Sequence, residues 1–283
     1  MTSKAVLITG CSSGIGHATA EALQDGGWTV YATARRPESI SDLAEKGCHT
    51  LALDVTDEQS MSAAVAQVTE AEGAVGVLIN NAGYSQSGAV ESVPLDDVRA
   101  QFETNVFGLL RMCQLVLPGM RDQDWGKIVN IGSMGGRLTF PGGGVYHASK
   151  YAIEAISDAL RFEVRGFGVD VILIEPGLIV TSFGDVASGS VTAAGDGDGG
   201  PYAHFNRHVA KLTAEAYKGP MVKLGGGPEK VAATIAKALD SKHPKARYPV
   251  TPSAHLLIGQ RRVTPDRIWD LMMRAQFPTP KAP

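Results

Sequence analysis

The sequence predicts an α/β domain built on a doubly wound parallel sheet with helices on both faces. Short continuous apolar runs recur at residues 5–8, 29–32, 75–79, 128–131 and 169–174. Runs without polar alternation are what strands need when both faces are covered. Amphipathic stretches of helical length separate them, the pattern of strand and crossover helix in turn. The first run also passes through a glycine-rich turn into a helical pattern, as the opening βα unit of a nucleotide-binding sheet does.

The elements follow in order. The strand Ala5-Val6-Leu7-Ile8 enters Thr9-Gly10-Cys11-Ser12-Ser13-Gly14-Ile15-Gly16 and then a helical run, residues 17–24. Gly10 permits a tight turn, Gly14 lets backbone approach a pyrophosphate, and Gly16 allows close helix–strand packing. The helix N-terminus adds free N–H groups and a positive dipole end, so the implied ligand is a dinucleotide. The spacing Gly-x-x-x-Gly-x-Gly departs from the general fingerprint, and a purely structural turn fits it as well. Its place after a first strand favours the ligand.

The second strand ends in Thr33-Ala34-Arg35-Arg36. A carboxylate there would hydrogen-bond the ribose hydroxyls and repel a phosphate. None is present, and two guanidiniums are available for a 2′-phosphate, so NADP(H) is expected over NAD(H). The alternative, solvated loop charge, suits Arg36 best. Thr56-Asp57 can cap a helix to about Glu72, and Pro94 with Asp96 can open a long helix to Met120. Between these, residues 75–79 lead into Asn80-Asn81-Ala82-Gly83, small enough either to admit a ligand or simply to turn.

Tyr146-His-Ala-Ser-Lys150, thirteen positions after Ser133, carries the chemistry. On a helix, Lys150 lies one turn from the phenol. A free tyrosine titrates near about 10, and poising it near neutrality takes about 3 units, roughly 4 kcal/mol. A cation about 4 Å away at an effective dielectric near 20 supplies about that much. Such a tyrosine gives a proton to a ketone or takes one from an alcohol, while Ser133 holds the oxygen. The pair alone is weak evidence, because it arises readily by chance. A hydrolase reading fails: Ile131 stands where a nucleophile elbow needs glycine, and His147 points about 100° away from its helical neighbour Tyr146.

Taken together, Thr9 to Gly16, Asn80-Asn81-Ala82-Gly83, Asn105, Ser133, Tyr146 with Lys150, and Pro176-Gly177 followed by Thr181 resemble the short-chain dehydrogenase/reductase family over residues 4–250. The glycine turn and Val30-Tyr-Ala-Thr-Ala-Arg35 are similar to its branch of 17β-hydroxysteroid and retinol dehydrogenases. The resemblance implies one Rossmann domain over residues 1–283 with about seven strands, and an NADP(H)-dependent oxidoreductase acting on a carbonyl or alcohol. It implies that Tyr146 is the acid/base, that Lys150 also binds the ribose, and that Asn105 holds a relay water. Ser12 and Arg35 then hold the 2′-phosphate, with Ser13 and Ile15 in the same turn. Asp54 and Val55 bracket the adenine, although Asp54 could instead cap the next helix. Asn81, Ala82 and Gly83 lie along the nicotinamide ribose, and Pro176, Gly177, Ile179 and Thr181 orient the carboxamide. The competing reading is a non-catalytic NADP(H)-binding sensor, which loss of the tyrosine or lysine would favour; both are present.

Composition bounds the rest. At 283 residues and 44% apolar, the chain can bury one large core. A net charge of −3 gives no reason to expect nucleic acid or anionic lipid. Cys11, Cys48 and Cys113 have neither disulfide nor metal spacing, so no metal and a cytoplasmic setting are expected. No apolar run reaches the ~20 residues a membrane span needs. A homodimer or homotetramer through the helices 96–120 and 146–165 is expected from the resemblance.

Residues 182–200 are rich in Gly, Ser, Ala and Asp, residues 202–218 have helical character, and Gly225-Gly-Gly227 ends the excursion. An insertion over 182–227 that emerges at the ligand end of a doubly wound sheet is expected to be a substrate lid. Residues 251–283 form an extension in which 254–262 and 265–277 could be helices, with Ile268, Leu271, Met272 and Ala275 on one face, for core packing or a dimer contact rather than a membrane. Between Ser133 and Tyr146, Leu138, Phe140, Pro141 and Val145 make an apolar wall, implying a lipophilic small-molecule substrate such as a steroid, retinoid or fatty-chain carbonyl. Arg137 would instead favour a substrate bearing an acid.

Overall fold

The computed structural model describes residues 2–181, 184, 187, 189–191, 200–216 and 223–280. Seven parallel strands form one sheet in the order β3-β2-β1-β4-β5-β6-β7: β1 (Val6–Ile8), β2 (Val30–Ala34), β3 (His49–Ala52), β4 (Val77–Asn80), β5 (Gly126–Ile131), β6 (Val169–Glu175) and β7 (Arg247–Pro249). Successive side chains of a strand face opposite ways. Leu7 accordingly packs beneath α3 (Glu58–Glu72), α5 (Gly108–Asp122) and α6 (Gly144–Glu163), while Val6 and Ile8 pack on the other face with α1 (Gly14–Asp25), α2 (Ser41–Glu45) and α8 (Pro228–Asp240). Both faces are core, which is why these strands read as unbroken apolar runs. Strand order reverses between β1 and β4, so their carboxyl ends flank the crevice where such sheets bind ligands.

The expected long helix 96–120 is divided. Helix α4 (Leu95–Phe102) runs into a π-helical turn, Glu103–Phe107, before α5 begins. Gly108 N–H bonds to the Glu103 carbonyl, five residues back, and Asn105 lies inside the widened turn. Asp57 caps α3 as expected, its carboxylate accepting the Gln59 and Ser60 N–H groups.

Of the insertion 182–227, most of the glycine-rich stretch 182–200 lies outside the described residues. Helix α7 (Ala203–Ala216) follows it, and Gly226 then pairs with Ile179 beyond β6, returning the chain to the sheet before α8. The extension forms α9 (Pro252–Val263) and α10 (Asp266–Gln276). Of the four residues expected on one face, Met272 packs against the core. Trp269 and Met273 are buried against Leu138, whereas Ile268 and Leu271 are 52% and 63% exposed and Ala275 is exposed. The large indole, which covers more apolar area than either aliphatic chain, decides which side turns inward. No helix among the described residues is long and apolar enough to cross a membrane.

Candidate active site

Two loops interlock at the switch point. The Thr9 hydroxyl accepts the Asn81 and Ala82 N–H groups, both at 3.0 Å, and the Asn81 amide donates to the Thr9 and Gly10 carbonyls at 2.9 and 2.8 Å. Gly10 and Gly14 have φ of 73° and 60°, the left-handed region glycine enters without strain. A Cβ on Gly16 would strike the Gly10 carbonyl and the Asn81 amide. The close approach at Gly16 is therefore made to the turn after β1 and the loop after β4 rather than within a strand.

These loops open into a cavity of about 1400 Å³. Gly10, residues 12–15, Arg35, Asp54, Val55 and residues 81–83 line one half; Ser133, Tyr146, Lys150, Pro176, Gly177, Ile179 and Thr181 reach the other. Of the expected positions, Gly16 and Asn105 stand behind the wall. Arg35 is exposed and has no ion pair or side-chain hydrogen bond among the described residues, while Arg36 lies off the cavity. The Asp54 carboxylate is engaged by the Thr56 N–H and hydroxyl at 2.9 and 2.7 Å, so it shapes its own turn as well as the wall. Backbone bare of Cβ atoms at Gly10 and Gly14, small residues at 81–83 and a partnerless guanidinium fit an NADP(H) cofactor.

In the other half, the start of α6 holds Tyr146 and Lys150 one turn apart. The buried Lys150 ammonium donates to the Ile131 carbonyl at 2.8 Å and lies 5.9 Å from the Tyr146 ring centre. Burial pulls the Lys150 ammonium down to about 8. Ser133 follows β5 in extended conformation, and its Oγ accepts the Gly135 N–H at 3.0 Å, leaving its own proton available to a substrate oxygen. The Asn105 amide is committed. Its Oδ1 accepts the Tyr84 N–H at 3.1 Å, and its Nδ2 donates to the Tyr84 carbonyl and to Ser149 Oγ, both at 3.0 Å. Ser149 in turn donates to the Tyr146 carbonyl at 2.7 Å, so Asn105 ties the loop after β4 to the start of α6.

Arg137 does not face the cavity. Its guanidinium lies 3.2 Å from Glu175 and 3.7 Å from Glu154, and Arg247 sits on the same pair at 3.6 and 3.0 Å. Burial, then the charge of Glu175, push Glu154 up to about 7. A carboxyl raised in the folded state contributes stability below its ordinary value, and that contribution is lost as pH rises through about 7. The melting temperature should therefore fall, on the order of a few °C, between pH 5 and 8. Glu154→Gln should flatten that decline, and an unchanged profile in scanning calorimetry would contradict the assignment.

Several lining groups carried no individual signal in the sequence, although α7 lies in the insertion expected to be a lid. Val209, Leu212 and Thr213 come from α7, Leu257 from α9, and Gln276 and Phe277 from the end of α10. Behind the segment that follows β6, the Ser253 hydroxyl accepts the Leu178 N–H at 3.1 Å, and a Cβ on Gly177 would strike both Ser253 and Thr251. Thr251 takes φ 106° and ψ 148°, a conformation natural to glycine, to bring its hydroxyl within 2.9 Å of Ser253.

A profile of the short chain dehydrogenase family matches residues 4–188. A 3-ketodihydrosphingosine reductase of Bacteroides thetaiotaomicron is 37% identical over 276 residues, covering 97% of this chain and 98% of the relative. An NADPH-dependent 3-dehydrocapnine reductase of Ornithobacterium rhinotracheale is 35% identical over 274 residues, with 93% and 94% coverage. The crystal structure of a short-chain dehydrogenase from Streptomyces avermitilis superposes with a TM-score of 0.79 at 34% identity, covering 96% of each chain.

Proposed function

The chain belongs to the short-chain dehydrogenase family and is an oxidoreductase of that type, and we propose that it reduces a long-chain, lipophilic ketone with NADPH, Tyr146 supplying the proton. The observation that carries this reading is one cavity lined both by Ser133, Tyr146 and Lys150 and by the apolar side chains of Phe140, Val209, Leu212, Leu257 and Phe277. The two reductases named above support a fatty-chain ketone over a steroid or retinoid.

The bound nicotinamide supplies the hydride. Gly10, Ser12, Ser13, Gly14 and Ile15 would hold the pyrophosphate side, Arg35 the 2′-phosphate, and Asp54 with Val55 the adenine. Asn81, Ala82 and Gly83 would flank the nicotinamide ribose, and Pro176, Gly177, Ile179 and Thr181 the carboxamide. Ser133 and Tyr146 donate to the carbonyl oxygen, and the Tyr146 proton moves to it as negative charge develops there. A cation 5.9 Å from the ring stabilises the resulting phenolate, by about 3 kcal/mol at an effective dielectric of 20. With its amide committed, Asn105 has its main-chain carbonyl to offer a relay water. Helix α7 acts as the lid over the apolar half. Exposed Leu95 on α4, Phe107 in the π-helical turn and Phe162 on α6 support pairing into a homo-oligomer.

Consumption of NADPH and NADH should be followed over fatty-chain, steroid, retinoid and small aromatic ketones. NADPH-dependent turnover highest for the fatty-chain ketone is expected. Tight NADPH binding with no turnover of any ketone would sink the reading in favour of a binding module.

A further inference from the structure

His147 lines the cavity beside Ser133 and Tyr146, is 8% exposed, and has a role that the proton transfer does not require. The Phe140 N–H donates to its Nδ1 at 3.2 Å, so the ring proton of the neutral imidazole sits on Nε2. Two glycines clamp the ring: a Cβ on Gly135 would lie 2.6 Å from Cδ2, and one on Gly143 2.6 Å from Cε1. Nε2 has no hydrogen-bond partner among the described residues. Burial pushes the imidazole down to about 4, so it stays neutral at physiological pH and is neither an acid nor a base for the reaction.

Besides the Lys150 ammonium, held to the Ile131 carbonyl, Ser133, Tyr146 and His147 bring hydrogen-bond donors to this part of the lining. Ser133 and Tyr146 serve the reacting oxygen, and the Nε2–H of His147 is left over. Ser85 and Ser87, two further hydroxyls that line the cavity, face each other at 3.1 Å. The cavity that His147 lines is where this donor can meet an oxygen of a ligand, in exchange for water. The ring is rigid and permanently neutral, which suits it to select a substituent rather than to move a proton.

We propose that the Nε2–H of His147 is a specificity-determining donor that binds an oxygen substituent, a hydroxyl or an oxyacid, carried on a carbon close to the ketone. The assignment rests on the ketone-reductase reading and deepens it: the preferred substrate is a long-chain ketone with a polar head at the reacting end.

Steady-state kinetics with NADPH should compare two ketones of equal chain length, one bearing a hydroxyl within two carbons of the carbonyl and one without. In His147→Asn the side-chain oxygen can still accept from Phe140 while the donor at the Nε2 position is gone. Its kcat/KM for the hydroxyketone should fall about tenfold with that for the plain ketone unchanged, and His147→Gln, which restores a donor at that reach, should recover most of the loss. Equal losses for both ketones would mean a packing role and overturn the proposal, as would no loss for either. If the wild type reduces neither ketone, the reductase reading fails and this assignment fails with it. On the wild type itself, the imidazole ¹⁵N spectrum should show the Nε2–H tautomer from pH 5 to 8, its Nε2 signal shifting on addition of the hydroxyketone with NADP⁺. A Nδ1–H tautomer, or a signal indifferent to that ligand, would overturn the proposal without any substitution.

Discussion

Tyr146→Phe should lower ketone reduction by about 10²–10⁴-fold while leaving NADPH affinity and melting temperature near wild type. The phenyl ring can keep the ring contacts with the His147 imidazole at 5.6 Å and the Lys150 ammonium at 5.9 Å, while the acidic proton is lost. Ser133 cannot replace it. Its hydroxyl can donate a hydrogen bond to the carbonyl oxygen, but an aliphatic alkoxide is far too basic to be left behind at neutral pH. Lys150 is a turn away, bonded to the Ile131 carbonyl, and its part is to favour the phenolate rather than to reach the substrate. What survives in the variant is the rate that orientation and hydride transfer supply with water as the acid. Single-turnover absorbance of NADPH isolates that step from product release. Retention of more than about a tenth of wild-type turnover would remove Tyr146 from the role.

The parts of the fold legible in the sequence are those buried on both sides. Strands β1, β2, β4, β5 and β6 read as apolar runs because each is core on both faces. Strands β3 and β7 did not, because they are the two edges: His49 and Ala52 are exposed, and Arg247, Tyr248 and Pro249 are only half-buried. The site divides in the same way. Residues set by local geometry, such as Gly10, Gly14 and the one-turn pair Tyr146 and Lys150, are visible as spacings. Residues whose role comes from tertiary contact are not. Asn105 could be placed only by resemblance, and its amide meets Tyr84, 21 residues away, and Ser149, 44 away. Arg137, read as a substrate group from its neighbours in the chain, is instead captured by Glu154 and Glu175 from α6 and β6. Ser253 supports Leu178 across 75 residues, a pairing that no local pattern encodes.

Arg35→Asp should reverse the cofactor preference. Arg35 stands at the end of β2 on the cavity wall, exposed and without a partner among the described residues, so a bound 2′-phosphate would meet a guanidinium not already held in an ion pair with them. A charge-assisted hydrogen bond to such a group is worth about 1.5–3 kcal/mol. Asp removes that bond and sets a carboxylate where the phosphate would lie, while offering the ribose hydroxyls of NADH the acceptor they lack at this strand end. The dissociation constant for NADPH should rise on the order of 100-fold, and that for NADH should stay level or fall. Titration by fluorescence energy transfer measures both without any substrate, so the result does not depend on the identity of the ketone. Arg36→Asp is the control for general surface charge, because Arg36 lies off the cavity. Salt separates the contributions further: NADPH affinity of the wild type should weaken as ionic strength rises, whereas NADH affinity should barely move. An equal loss for both cofactors in Arg35→Asp would mean that the substitution disturbs the loop rather than a phosphate contact, and the assignment of Arg35 would fall.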